Sequence, residues 1–477
     1  MFACSATDDF FRSRIDQMID IRHPLAVLAS RMPWQEIEAS VAHRFVRKAH
    51  DGVAMPDLDL FGEQPQRLAR RSNAGRPRIA LRVMISLLYL KHAFNESDEG
   101  VVARWADTPR WQFFSGQAYY EDRLPCDAST LVKFRQLLGE DGAEELLAQT
   151  ISMAVDMKLI KPQELSRVIV DTTVQEKAIA HPTDSRLLEV ARSKLVASAK
   201  QAGISLKQTF AREANSLNRQ AGRYAHARQF KRMRRAIRRQ ATIVGRLARE
   251  IDRKSEPLVQ AVRQALGEMT SKARRLMAQS RQKKTQTDQA KLYAWHAPEV
   301  DCISKGKARY PYEFGVKVSI ASTFKGNLIV GARAFHGNPY DGHTLNGQME
   351  QTRILMQDRT LGPTTAFVDL GYRGVERENP ELRIVHRGKP TRLTALEKKQ
   401  LKRRQAIEPI IGHLKADHRM QRCHLKGMIG DQLHAVLCAA GYNIKWLLRM
   451  IARKGVLFLW RLFLRLRILH YQPNPSS

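Results

Sequence analysis

The chain has 477 residues, 80 of them Lys or Arg against 47 Asp or Glu, so its formal net charge is +33 and its isoelectric point about 10.3. A hydrophobic share of 43% over this length supports two or three cored domains, which excludes a wholly disordered or fibrous protein. Self-repulsion of so much positive charge calls for a polyanionic surrounding, nucleic acid foremost, with ribosomes, membranes and heparin-like chains as the other candidates.

The first residues, MFACSATDDFFRSR, place acids before any apolar run and do not read as a secretory signal. Five scattered cysteines (Cys4, Cys126, Cys302, Cys423 and Cys438) contain no Cys-x-x-Cys pair, so a reducing cytoplasm suits them better than a disulfide scaffold. Residues 30–150 read as helical. One apolar helix is expected over 79–94 after the Gly75-Arg76-Pro77 stop signal, and a second over 97–107. A third follows Pro125, capped by Asp127 or Ser129, with Leu131, Phe134, Leu137 and Leu138 on one stripe. The outline resembles a helix-turn-helix, a pattern any small helical domain gives.

After Pro162 the period changes. RVIVDTT, residues 167–173, is β-branched and delivers Asp171 at the end of a buried strand. Residues 191–290 then carry 25 basic against 6 acidic side chains, a net +19 of the total +33. Within 221–240 there are eight basic residues and no acid, and the candidates for phosphate contact are Arg228, Lys231, Arg232, Arg234, Arg235, Arg238 and Arg239. Tyr224, Phe230, Met233 and Ile237 fall at helical intervals, which predicts a helical hairpin with a narrow apolar seam.

Strands return beyond 300: 313–322 and 327–335 as a hairpin, then 364–370 and 381–386, with a helix over 344–357. A mixed α/β core interrupted by a helical insertion follows from that order. Asp171 closes one strand and Asp369, in FVDLGYRG, closes another, so strand tips of one sheet bring them within range of each other. Glu408, in RRQAIEPIIGHLKADHRM, can reach the same edge from a helix. Hard carboxylate oxygens in such a set suit one or two Mg²⁺ ions and metal-assisted phosphoryl transfer. Arg404, four residues before Glu408, can pair with it, and Lys415 lies two turns further along the same face, placed to meet a DNA phosphate. Pro409 favours a helix start or a kink at Glu408.

The remaining polar candidates have ordinary explanations beside functional ones. His181 and Asp184 fit a site rim or a capped turn at Pro182. His413, His418 and His424 lack the spacing of a zinc helix. Gly371 and Gly374 suit a turn rather than a nucleotide loop, and Lys426, Gly427, Gly430 and Asp431 form a polar break before a packed helix. Arg449, Arg453, Lys454, Arg461, Arg465 and Arg467 interrupt the apolar segment that follows Trp446, leaving no run able to cross a bilayer. A buried or DNA-facing helix is expected there ahead of a membrane-surface element.

These blocks resemble the DDE transposases of bacterial insertion sequences, in the group of insertion sequence five and its relatives. The likeness runs over LRVMISLLYLKHAFNESDEGVVARWADTPRWQFFSG, IVDTTVQEKAIAHPTDSRLL, FVDLGYRG and the long block around Glu408, which is the most specific. The resemblance implies an RNase H-like catalytic core, a catalytic and metal-holding triad of Asp171, Asp369 and Glu408, and two Mg²⁺ ions, with Mn²⁺ as a substitute. It also implies synaptic complexes, with a homodimer, on duplex DNA bearing terminal inverted repeats, followed by joining to target DNA. The family's signature around its glutamate aligns Arg404, Glu408 and Lys415, but its tyrosine position holds Leu401, so no tyrosine hydroxyl can act there.

On this likeness the chain divides into an N-terminal helical domain for DNA binding or dimerisation (1–150), a first catalytic part (160–190), the basic insertion (191–300), a second catalytic part (301–445) and a basic apolar C-terminal helix and tail (446–477). The expected setting is the bacterial cytoplasm, at the nucleoid, without a membrane. The rival readings are an RNase H-like nuclease without strand transfer, a non-enzymatic DNA-binding or repressor protein, and an RNA-binding or ribosome-associated protein.

Overall fold

The computed structural model describes residues 13–45, 78–282, 291–304, 310–357, 362–388 and 393–470. The opening segment, the Gly75-Arg76-Pro77 stop signal and the side chains of Arg461, Arg465 and Arg467 lie outside what is described.

The N-terminal part is built from α1 (Ile15–Met18), α2 (Pro24–Arg31), α3 (Trp34–Ala42), α4 (Leu81–Ala93), α5 (Asp98–Asp107), α6 (Pro109–Phe114) and α7 (Ala128–Asp156). Every residue of α4 from Val83 to Ala93 is buried, as expected of a helix apolar on all sides, and this leaves it no free face to offer a DNA groove. Local chemistry sets the helix starts: Ser97 Oγ accepts from Gly100 N, and Asp127, rather than Ser129, caps α7 by accepting from Ser129 N. Leu131, Phe134 and Leu138 of α7 enter the core, whereas Leu137 is exposed because it sits one residue off that stripe.

Among the described residues the sheet has seven strands, β1 (Arg167–Lys177), β2 (Asp301–Ser304), β3 (Tyr312–Thr323), β4 (Ile329–Phe335), β5 (Thr365–Phe367), β6 (Arg383–Val385) and β7 (Arg422–Cys423). Its main order is β2-β3-β1-β5-β6; β4 also pairs with β3, and β7 with β1. The hairpin of β3 and β4 is antiparallel as expected, β3 runs antiparallel to β1, and β5 and β6 continue the sheet in parallel. Strands β5 and β6 have three residues each, shorter than their apolar runs suggest. Helix α12 (Thr344–Leu355) packs on β4, while α13 (Ala395–Leu401) and α14 (Ile407–Asp417) follow β6.

The last helix, α15 (Gly427–His470), is unbroken for 44 residues and passes straight through the expected boundary at 445/446. Of the described residues, 427–455 form the one stretch long and apolar enough to cross a membrane, and 67% of its apolar window is buried inside the protein. Packing against α2, α4, α7 and β4 accounts for that apolarity. Asn443 Nδ2 donates to Thr150 Oγ1 (2.9 Å) and to Ile329 O (2.8 Å), tying α15 to α7 and β4 at once. At Gly441 a Cβ would lie 2.4 Å from His92 Cβ, so only glycine admits this approach of α15 to α4. One apolar core therefore runs from Leu25 to Leu447 and joins the N-terminal helices to the sheet.

The insertion has its own core. Helices α8 (Asp184–Gln201), α9 (Ala211–His226), α10 (Phe230–Ser255) and α11 (Gln260–Arg281) enclose Leu187, Leu188, Leu195, Val244, Leu247 and Ile251 among others. Because α8 is a single helix whose Leu187 and Leu188 belong to that core, the insertion starts near 184 and not at 191.

A buried ion cluster pins the far end of β1. Lys177 Nζ lies 2.8 Å from both Glu299 Oε1 and Asp431 Oδ1, and all three side chains are 6% exposed or less. The polar break expected before a packed helix is instead the start of α15 itself, since Gly427, Gly430 and Asp431 are helical, and Asp431 supplies one arm of this clamp. Lys177→Met would strand two buried carboxylates, so chemical denaturation should show a loss of about 3–5 kcal/mol; a loss under about 1 kcal/mol would mean the clamp contributes little.

Candidate active site and basic arm

β-branched residues on both faces make β1 a buried strand, and its parallel pairing with β5 matches Arg167 with Thr365, Val168 with Ala366 and Ile169 with Phe367. The same offset carried two residues onward sets Asp369 level with Asp171. Sequence places each acid at the end of a strand, but β1 continues six residues beyond Asp171 because Thr172 to Glu176 keep pairing with β3, so Asp171 stands in mid-strand while Asp369 follows the end of β5. The register makes them neighbours. Asp171 Oδ1 accepts from Thr172 N (2.8 Å), and Asp369 Oδ1 accepts from Gly371 N, which starts the turn Leu370–Tyr372.

Burial raises the Asp171 carboxyl to about 6, with Asp369 and Asp341 adding to the rise while Thr172 N–H and Arg404 oppose it. Desolvation is the larger cause and the neighbouring acids add to it, so the charged form is disfavoured even with Arg404 3.3 Å away.

Arg404 sits in the 3₁₀ turn Lys402–Ala406 just ahead of α14, so it and Glu408 do not share one regular helix. Its Nη1 donates to Asp171 Oδ2 (3.3 Å), and its Nη2 lies 4.0 Å from Glu408 Oε1. Glu408 is therefore linked to Asp171 through arginine, but its side chain is 64% exposed and Asp171 is the closer partner of Arg404. Pro409 falls in the first turn of α14, in keeping with a helix start at this point. Lys415 lies in the last turn of the same helix and is half-buried.

A fourth acid stands at this edge. Asp341, in the turn Asp341–His343 after β4, accepts from Thr172 Oγ1 (3.0 Å) and Lys317 Nζ (2.9 Å) through Oδ1. The point a Cβ on Gly371 would occupy is 3.1 Å from Asp341 Oδ2 and 3.3 Å from Asp369 Oδ1. In sequence Asp341 lies in NPYDG, which reads as turn chemistry alone, so nothing local distinguished it. Among the described residues no three His, Cys, Asp or Glu side chains form a ready metal cage.

The basic segment has a clear geometry. Helices α9 and α10 make a hairpin whose link includes Arg228 in the left-handed region, φ 56°. The apolar seam expected from Tyr224 onward is displaced: Phe230 is 51% exposed and Tyr224 and Met233 are half-buried, while full burial in α10 starts at Ala236. The first turns of α10 project past the insertion's core, where apolar residues have nothing to pack on. Arg228, Lys231, Arg232, Arg234, Arg235 and Arg238 are all exposed there. Arg239 differs, since Nε and Nη2 both donate to Glu213 (2.6 and 3.1 Å).

Other polar residues are occupied structurally. Thr183 Oγ1, not Asp184, caps α8, and His181 meets the ring of Phe314 edge-on. His413 pairs with Asp417 (2.7 Å), and buried His418 bonds His92 O (2.9 Å).

Comparison with known proteins adds three findings. Residues 13–137 match a family described as a transposase domain (DUF772), and residues 376–448 match a transposase DDE domain, a span that includes Arg404, Glu408 and Lys415. The chain is 42% identical over 226 residues to an uncharacterised protein, ORF8 in the nfe locus of Rhizobium meliloti, covering 47% of this chain and 97% of that one. No solved structure matches.

Proposed function

The chain belongs to the DDE transposases of bacterial insertion sequences, and from that membership we propose that it cuts duplex DNA at the terminal inverted repeats of its element and joins the 3′-hydroxyl ends to target DNA. The observation that carries this reading is the shared register of β1 and β5, which sets Asp171 beside Asp369 with Arg404 reaching from Asp171 toward Glu408. Support for an RNase H-like core comes from the antiparallel β4, β3 and β1 continued by parallel β5 and β6, with one acid in the middle of β1 and another just past the end of β5.

The carboxylate edge fits a divalent ion: its ligand atoms are hard oxygens, and burial, with a smaller contribution from Asp369 and Asp341, disfavours the charged form of Asp171 in a way that a bound cation relieves. Asp171, Asp369 and Glu408 would hold Mg²⁺, or Mn²⁺ in its place. When bound, the metal supplies Lewis acidity at the scissile phosphate and lowers the pKa of the attacking water or 3′-hydroxyl. Arg404 orients both Asp171 and Glu408, Lys415 meets a phosphate of the cleaved strand, and the exposed cations of α10 hold the flanking duplex. Phosphodiester exchange of this kind needs no ATP. The working assembly in this proposal is a homodimer on paired ends, at the nucleoid, with the N-terminal helices serving DNA binding or dimerisation.

Incubating the protein with Mg²⁺, a duplex carrying the repeats that flank its coding region and a target plasmid should give end-specific nicks and then joined products. Nicks without joining would leave a nuclease, and binding without nicks a DNA-binding protein only. Within the same assay, Lys415→Ala should weaken end binding, with the loss shrinking as salt rises, at an unchanged Mg²⁺ requirement. Arg404→Ala should instead raise the Mg²⁺ needed for half-maximal cleavage more than it weakens binding. A Lys415 variant whose only defect is an elevated metal requirement would reverse the two assignments.

A further inference from the structure

Asp341 belongs to neither transposase-domain match and follows no motif, yet it is held on both sides of the carboxylate edge. Its Oδ1 accepts from Thr172, the residue next to Asp171, and from Lys317 on β3, whose Nζ also donates to Pro339 O. Those bonds occupy one oxygen. The other, Oδ2, shares the neighbourhood of Gly371 with Asp369 Oδ1, too close for a side chain at 371 to come between them without displacing one.

A second observation points into the same place. Tyr372 is 1% exposed, and its hydroxyl lies among Asp171, Asp341 and the hydroxyls of Thr344 and Ser319 without completing a hydrogen bond of normal geometry. Ser319, opposite Thr172 across the β1–β3 ladder, also has a buried Oγ with no partner. The two hydroxyls are each other's neighbours, and a water between them and the carboxylates would complete their bonds.

We propose that Asp341 is a further ligand-bearing carboxylate of the metal site, presenting Oδ2 beside Asp369 while Thr172 and Lys317 hold Oδ1. Lys317 offsets the extra negative charge until a cation arrives, so four acids can share the edge without opening it by repulsion. The inference rests on the carboxylate reading of the active site, and the two are separable by experiment.

Mn²⁺ binding to the full-length protein, followed by electron paramagnetic resonance of the free ion, reads the site without requiring cleavage. Asp341→Asn keeps an oxygen acceptor for Thr172 and Lys317 and removes the charge; its Mn²⁺ affinity should fall by about tenfold, the scale typical of removing a group that supports a metal. Asp171→Asn and Asp369→Asn should fall at least as far. Wild-type affinity in Asp341→Asn beside weakened Asp171→Asn and Asp369→Asn would overturn the role of Asp341 and leave the remaining site intact. Wild-type behaviour in all three would overturn the carboxylate site itself, and this inference with it. Should Asp341→Asn fail to fold, Lys317→Gln provides the test: removal of the cation beside Asp341 should tighten Mn²⁺ binding, and an unchanged affinity would again remove Asp341 from the site.

Discussion

Asp171→Asn, Asp369→Asn and Glu408→Gln are each expected to abolish Mg²⁺-dependent nicking while end binding stays near wild type. Each change keeps side-chain size and removes one anionic oxygen from a ligand set, and metal stabilisation of a phosphoryl transition state is worth several kcal/mol. At about 1.4 kcal/mol per factor of ten, the rate should fall by roughly a hundredfold or more. Folding offers a control. Because burial and neighbouring acids disfavour the charged form of Asp171, its neutralisation should not lower the melting temperature of the metal-free protein at neutral pH. Gel-shift affinity and nicking measured on one preparation decide the matter, and near-normal nicking by any of the three would take that residue out of the catalytic set. Glu408 is the most exacting case, since it is exposed and reaches Asp171 only through Arg404.

Neutralising the projecting arm is expected to have the second-largest effect, this time on binding. The insertion has its own core and α8 contributes to it, so deleting 205–290 would strip Leu187, Leu188 and Leu195 of their partners. Substitution is the cleaner experiment. Lys231, Arg232, Arg234, Arg235 and Arg238 changed to Gln, with Arg228 changed to Asn to suit its left-handed backbone, remove six exposed charges and keep the Arg239–Glu213 pair. Filter binding over a salt series should then give a shallower dependence of log affinity on log salt, the slope shrinking by about 0.9 for each phosphate that the arm no longer neutralises. Unfolding should scarcely change, because none of the six side chains enters the core. An unaltered slope would show that the arm does not touch the DNA backbone.

Local patterns carried much of this protein on their own. Asp171 and Asp369 each end an apolar run, the β3–β4 hairpin is written in two β-branched segments around a short turn, and 191–290 concentrates a net charge of +19. The blocks around Asp171, Asp369 and Glu408 were enough to suggest the family. All of these depend on side chains a few residues apart, the range over which periodicity and turn chemistry act.

What required the tertiary structure were relations between distant segments. Parallel pairing of Ile169 with Phe367 sets the two aspartates level, a register that neither strand encodes alone. Arg404, four residues from Glu408, has its shorter contact to Asp171, because its 3₁₀ turn lies beside the middle of β1. Phe230 and Met233 fit a helical seam, but the core of the insertion ends at Ala236, and apolar spacing cannot say where the neighbouring helices stop. Asp341 reads as a turn residue until Thr172 and Lys317, 169 and 24 residues away along the chain, close on its carboxylate. Periodicity determined the elements and charge the need for a polyanionic surrounding; the pairing of remote strands decided which side chains share the site, because such contacts depend on how the whole sheet closes rather than on any stretch within it.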